Sequence, residues 1–329
     1  MFLVPVIVLG VIDKEQYFLS VTFGAFFVGV IDPGRAYGYR VTRMAAFALM
    51  GAVVTALAFW IASAAWGWVV LVTFVVTVAA GLTVTFGAHR FVAGTLLNVW
   101  FLIAIALPAG YKADQVTSHT WAQTLAWLAG SALWIAVTFI GWLARGRKDR
   151  AQPVPEIPGD ISPRPLTRPL IAYAVLRAIA LAIAVAIPFG LELPNADWMP
   201  IAALVAMKPS LAQSTLVGEQ RLVGAFIGAV LAALVLLTID NRTALEVIMI
   251  VVLTLGASIR FANYALYTAA IATGVLIGMG LPHPSNLTDE GRRVLFTFIG
   301  VGIGVLVMLV GNLLAKRSAQ APPPAPRPA

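Results

Sequence analysis

The chain of 329 residues has no cysteine, only three histidines, and charged side chains at 11% of its positions. Each shortage removes a class of protein. Without cysteine there are no disulfides and no thiolate metal sites, and His89, His119 and His283 are too scattered to read as a ligand cluster. A soluble domain carries roughly 25% charged residues, well above the share here. Hydrophobic residues make up 60% of the chain and its mean hydropathy is +0.91, the composition of an integral membrane protein. The formal net charge of +8 raises nucleic acid as a partner, but the basic residues fall between apolar runs and not on one polar face, so nucleic acid is not expected. Charges spaced in that way set membrane topology. No His or Asp cluster, Ser-His-Asp set or phosphate-binding glycine loop of the usual kinds is present, so neither an enzyme nor a metal or cofactor site is expected.

What the chain does have is a succession of apolar runs, at about 1–12, 17–31, 44–62, 67–88, 91–108, 120–144, 169–191, 198–207, 222–239, 244–258, 262–281 and 294–315. Crossing the hydrocarbon core takes about 20 helical residues, which several runs supply. Those near 1, 17 and 198 are short and are expected to be tilted, re-entrant or extended by semi-polar flanks. Helix is the expected state throughout, because a backbone facing lipid must satisfy its own hydrogen bonds and no alternation of period two is visible. The first run lacks the Lys or Arg that opens a signal peptide, and it reads as a span that is not cleaved.

The runs repeat. A shift of about 170 to 178 residues aligns Arg43-Met-Ala-Ala-Phe with Arg221-Leu-Val-Gly-Ala-Phe, and Gly51-Ala-Val with Gly228-Ala-Val. It also aligns GAHRF (87–91) with GASIRF (256–261), Leu107-Pro108 with Leu281-Pro282, and FIGWLARGR (139–147) with LVGNLLAKR (309–317). One six-segment unit is written twice. Because six is even, both units enter and leave on the same side, which makes the repeats parallel and relates them by a pseudo-twofold axis along the membrane normal. The fold class expected is therefore an all-α integral membrane protein. It has a first repeat at 1–145, a basic Pro-rich linker at 146–168, a second repeat at 169–317 and a Pro-rich disordered tail at 318–329.

Charge asymmetry orients the chain. The linker carries Arg145, Arg147, Lys148, Arg150, Arg164 and Arg168, and the C-terminus carries Lys316, Arg317 and Arg327, so both belong in the cytoplasm. Alternation then puts Arg35, Arg40, Arg43, Arg90, Lys208, Arg221 and Arg260 on the cytoplasmic side, and Asp13, Glu15, Glu192, Asp197, Asp240, Asp289 and Glu290 outside. Lys14, Lys112, Arg242, Arg292 and Arg293 are exceptions, mostly beside acids. Both termini are expected in the cytoplasm of a twelve-span protein.

Two readings of the arginines stay open. Arg90 and Arg260 sit at cytoplasmic helix ends, where a guanidinium snorkels and meets the negative end of the helix dipole. The repeat would equally place them around a central path as counter-charges for an anion. The same choice applies to Arg43 and Arg221 after the two cytoplasmic turns, and to Lys208 at the end of a short span. Arg177 differs, since YAVLRAIALAIAVAI puts it about two turns into a span, where a charge is costly and is expected to face protein or an acid. Asp32 and Glu219 are the expected partners of Arg35, Arg43 or Arg221, and Trp198 and Tyr17 read as interfacial aromatics more readily than as stacking platforms.

The hairpins IDPGRAYGYRVTR (31–43) and MKPSLAQSTLVGEQRLVGAFIG (207–228) share a design: a span ends at Pro33 or Pro209, a small polar turn follows, and an arginine opens the next span. Gly224, Ala225 and Gly228 make a helix face narrow enough for close backbone approach. These residues resemble the fusaric acid resistance family. Its half-unit has an aromatic-led short span, a proline, a turn with Thr or Ser, then an Arg-x-x-Gly-Thr helix start. Trp198, Pro209, Thr215, Gln220, Arg221 and Gly224 match; Ala225 stands where the family has threonine, and Ala46 where the first half would have glycine. The resemblance implies an inner-membrane protein of a group that includes aromatic acid exporters, with plant malate channels as distant relatives. Many members add a large cytoplasmic domain, and here only the linker stands in its place.

The function expected is efflux of organic, aromatic-type anions, with an anion channel or uniporter, or a non-transporting envelope assembly scaffold, as alternatives. Every Asp and Glu falls near a segment end, which disfavours proton-driven exchange. The partners expected are the lipid bilayer and a small organic anion, with room for a periplasmic adaptor. Gly51, Gly224, Gly228, Gly300 and Gly304 suit close helix contacts, and a homodimer is expected.

Overall fold

The structure, a computed structural model, describes residues 3–33, 36–107, 116–149, 163, 165–193, 198–207, 215–259, 263–280 and 287–320. Among them every regular element is helical. In chain order the helices are α1 (Leu3–Val11), α2 (Phe18–Ile31), α3 (Tyr37–Ala62), α4 (Trp66–Leu82), α5 (Ala88–Ala106), α6 (Val116–Ala144), α7 (Arg168–Gly190), α8 (Trp198–Ala206), α9 (Thr215–Thr238), α10 (Arg242–Ile259), α11 (Tyr264–Gly280) and α12 (Leu287–Gln320). Short 3-10 turns at Glu15–Tyr17 and Thr83–Phe86 lead into α2 and out of α4. Each expected apolar run became one helix. The helices outrun the apolar segments at their polar ends, so that Arg40 and Arg43 lie inside α3, Gln220 and Arg221 lie inside α9, and α12 continues three residues past Arg317. Backbone hydrogen bonding does not stop where hydropathy does.

Among the described residues, five segments are long and apolar enough to cross a membrane: Tyr37–Ala62, Trp66–Phe86, His89–Ala106, Thr120–Ala144 and Arg168–Gly190. With nine residues each, α1 and α8 rise only about 14 Å and cannot cross alone. The outward faces are apolar as well: Leu49 and Val53 on α3, Leu71 and Val75 on α4, Ile179 and Ile183 on α7, Val251 and Leu255 on α10, and Leu309 and Leu313 on α12 are all exposed. A surface of that kind needs hydrocarbon around it.

Inside, α2 and α3 pack on α6, α3 and α4 on α5, α9 and α10 on α11, and α8 and α9 on α12. The two halves of the chain meet where α7 packs on α4, α5 on α8, and α1 on α10. The first half is filled by rings. Trp100 and Trp127 stack with centroids 4.7 Å apart, and Phe23, Phe27 and Phe47 close around them. The indole of Trp100 donates to Thr55 Oγ1 at 2.7 Å and that of Trp127 to the Ala48 carbonyl at 3.1 Å, so neither buries an idle N–H. In the second half small residues dominate the crossings: Gly224 and Gly228 bring α9 against the backbone of α11 at Ala265 and Ala269, and Gly300 meets the Met199 carbonyl on α8. Gly51 is likewise filled, by the Trp127 ring. These glycines serve contacts within one chain, so they lend no support to a second copy.

Antiparallel packing sorts the charges by end. Tyr37 at the start of α3 stacks on Trp142 at the end of α6, which brings Arg40, Arg43, Arg145, Arg147 and Lys148 to one end. Gly81, late in α4, lies on Ala174, early in α7, so Arg90 and Arg168 share that end. The exposed Trp60, Trp66, Trp68 and Trp121 lie at the opposite end, together with Asp13, Glu192 and Asp240. A basic rim faces a tryptophan rim across the bundle.

The crossing of α2 and α6 offers a test. A Cβ on Gly130 would stand 1.9 Å from the Val21 carbonyl, and one on Gly24 would stand 2.4 Å from the Trp127 carbonyl. Gly130→Ala is expected to lower stability by about 1–3 kcal/mol through overpacking. Gly302→Ala, where nothing lies within 4 Å, is expected to be neutral or stabilising by about 0.4–1 kcal/mol. Unfolding midpoints in detergent for the two variants check the contrast.

Candidate functional site

Among the described candidate cations, Arg177 is held most deeply. It lies nine residues into α7 with 1% of its surface exposed. Its Nη2 donates to Thr95 Oγ1 at 3.4 Å and its guanidinium carbon stands 5.3 Å from the centroid of the Phe91 ring, both on α5. One turn before Arg177, the small residue Ala174 lies against Gly81 of α4. As expected of a charge inside a span, Arg177 faces protein, and its contacts include a hydroxyl and an aromatic face.

The other arginines are held in simpler ways. Arg43 is half-buried, donates to Tyr39 Oη at 3.0 Å and has its guanidinium 5.5 Å from the same ring. Arg90 is exposed, with its guanidinium 5.3 Å from the Phe86 ring. Each cation thus rests on the aromatic residue four positions before it. The dipole expectation for Arg90 is corrected: it lies in the first turn of α5, at the positive end of that helix, because Gly87 at φ 100° breaks the chain between the 3-10 turn and α5. Arg90 and Phe91 share that first turn, one side chain exposed and the other buried, so α5 links Arg90 to the ring that Arg177 covers.

Lys208, Pro209 and Arg260 lie outside the described residues, and the side chains of Gln220 and Arg221 do as well. Gly224 is buried against Ala265 and Thr268. Trp198 is only 3% exposed and opens α8 as part of the core, which corrects its reading as an interfacial residue.

Sequence reasoning missed a buried carboxylate–guanidinium fork. Asp32, just before Pro33, receives two hydrogen bonds from Arg40, one from Nε at 2.7 Å and one from Nη2. The expectation named Arg35 or Arg43, yet Arg40 is the described partner, 3% exposed. It sits one turn into α3 on the side that faces α2, whereas Arg43 lies toward Tyr39. The fork spans the hairpin and ties the end of α2 to the start of α3. Beside it the Tyr37 amide donates to Asp149 Oδ1 at 3.0 Å, so the linker also begins tied to this corner. Elsewhere buried polar side chains pair across helices, as Ser20 donates to Gln123 and Asn98 to Thr77 at 3.2 Å, while within α10 Glu246 accepts from Arg242 at 3.3 Å. Single polar residues within apolar runs were the available signal for these.

Breaking the fork leaves one buried charge without its counterpart. Asp32→Asn is expected to cost about 3–5 kcal/mol, and adding Arg40→Gln to recover most of the loss. A double-mutant cycle on unfolding midpoints measures the coupling.

No curated protein and no solved structure matches the chain. Residues 179–307 match the family model described as fusaric acid resistance protein-like. That region begins two residues after Arg177, contains α8 to α11 whole, and includes every second-half residue on which the resemblance rests, from Trp198 to Gly224. Region 179–307 of this multi-pass membrane protein is therefore similar to the fusaric acid resistance protein-like family.

Proposed function

We propose that this protein is a multi-pass transporter of the inner membrane that carries small organic anions, aromatic carboxylates foremost, out of the cytoplasm. The observation that carries the reading is Arg177. A guanidinium buried in the bundle, beside an aromatic ring and a hydroxyl, offers charge, face and hydrogen bond to a carboxylate with a flat body. Its helix packs on α4 of one half and on α8 and α12 of the other, so the charge lies along the seam between halves, where transporters built from repeats hold their substrates. Arg43 and Arg90 belong to the basic rim at the end from which α7 starts, with Arg221, Arg260 and Lys208 assigned to the same rim by the sequence. A positive mouth with walls of low dielectric concentrates anions.

The architecture that goes with this is two parallel six-helix repeats, twelve spans, with the linker and both termini in the cytoplasm. In support, the pairings α2–α6, α3–α5, α3–α6, α4–α5 and α4–α7 recur six helices on as α8–α12, α9–α11, α9–α12, α10–α11 and α10–α1. The basic rim at one end and the acids with tryptophans at the other fit the positive-inside rule. A uniporter or channel is the second reading. It is favoured because the described acids, Asp13, Glu15, Asp32, Asp149, Glu192, Glu219, Asp240, Glu246, Asp289 and Glu290, lie at helix ends or within about one turn of them.

Liposome flux of benzoate-type and dicarboxylic acids tests the reading, with protein levels matched. Arg177→Gln is expected to reduce flux roughly tenfold or more, the loss of a charge-assisted bond worth about 1.5–3 kcal/mol. Arg177→Lys should recover part of it if charge suffices, and little if the planar fork is required. Unchanged flux in Arg177→Gln removes this residue from the mechanism, and no flux for any anion favours a scaffold role. Topology is checked separately by placing a cysteine at Ala151 in the otherwise cysteine-free chain. Labelling from the cytoplasmic side alone is expected; labelling from outside overturns the orientation.

A further inference from the structure

The end of α6 is shaped more elaborately than a helix exit requires. Gly146 and Arg147 both adopt positive φ, 65° and 62°. The Gly146 amide donates to the Leu143 carbonyl at 2.9 Å and the Arg147 amide to the Trp142 carbonyl at 3.0 Å, which closes a left-handed cap on the last turn. Glycine adopts that conformation freely, but arginine rarely does. The chain then runs across to α3, where Asp149 Oδ1 accepts the Tyr37 amide at 3.0 Å, 112 residues away in sequence. The rings beneath are fixed as well: Tyr37 stacks on Trp142 at 4.8 Å and lies 5.7 Å from Phe139.

Between those two anchors the turn displays Arg145, Arg147 and Lys148, all exposed. Arg145 folds back along α6, its Nη1 3.6 Å from the point where a Cβ on Gly141 would stand. Immediately before these cations, Ile140 and Leu143 are exposed apolar side chains on the same helix. The layering, apolar side chains and then a dense positive turn, matches one lipid molecule from acyl chain to phosphate. We infer that the turn closing α6 is a docking site for the headgroups of acidic phospholipids, with Arg145, Arg147 and Lys148 as the contacts. Asp149 is the positioning residue that pins the turn to α3. A soluble phosphate has the same charge chemistry but gains nothing from Ile140 and Leu143, and so the apolar flank selects the lipid. Nothing here depends on what the protein transports.

The test uses the full chain in a neutral detergent. Unfolding midpoints and native mass spectra are recorded with added phosphatidylglycerol, phosphatidylcholine or inorganic phosphate. Phosphatidylglycerol is expected to raise the midpoint and to be retained several-fold more than phosphatidylcholine, the effect weakening as salt increases. Inorganic phosphate should do neither. The double variant Arg147→Gln/Lys148→Gln, which keeps Asp149, should lose most of the preference. Asp149→Asn is the decisive variant because it removes a negative charge. If the turn acts by net charge alone, phosphatidylglycerol retention grows; if the turn must be held in place, retention falls. Each shift is read against the variant's own lipid-free baseline, so a general loss of stability does not imitate the result. Equal retention of both lipids, an equal effect of inorganic phosphate, or undiminished retention in Asp149→Asn would overturn the inference.

Discussion

In hydrocarbon a polar group finds no water, so each must be satisfied inside the protein, and the arrangement of this bundle follows from that constraint. Helix satisfies the backbone. The hydroxyls that remain in the spans mostly turn back on their own helix: Thr55, Thr73, Thr124, Ser131, Thr254 and Thr273 each donate to the carbonyl four residues earlier, at 2.7 to 2.9 Å. Groups too large for that solution reach a neighbouring helix, as the indoles of Trp100 and Trp127 and the amides of Asn98 and Gln123 do. Each such bond fixes which helix faces which, a specificity that apolar packing in lipid supplies weakly.

The two halves meet the same packing problem with different materials. Where the first half places Trp100 and Trp127 between its helices, the second brings backbones together through Gly224, Gly228 and Gly300. Rings hold helices apart and fill the gap with broad contact surfaces; glycines remove the gap. In both halves the close crossings leave almost no room for an added methyl group, as the contacts of Gly24 and Gly130 in the first and Gly228 and Gly300 in the second show.

Charge is used sparingly, and its cost depends on depth. At the basic rim, arginines rest on the aromatic ring four residues before them and remain partly hydrated. Arg40 is buried and therefore carries a carboxylate fork, which also fixes the α2–α3 corner. Arg177 is buried further along its helix, where its contacts include a hydroxyl and a ring, and a charge held at that depth is costly.

The sequence by itself determined the class, the number of helices and the order in which they occur, because hydropathy along a chain is a local property that lipid reads directly. It also placed Arg177 inside a span and marked the 179–307 region through residues such as Trp198 and Arg221. Tertiary structure decided the partners. That Asp32 meets Arg40 and not Arg43 depends on which way α3 is rotated about its axis, and that Trp198 is buried depends on α8 lying beneath α12. The position of Arg90 at the positive end of α5 depends on a single glycine break at Gly87, which hydropathy does not register. Helix rotation and helix contact arise from side chains far apart in sequence, and no local pattern encodes them.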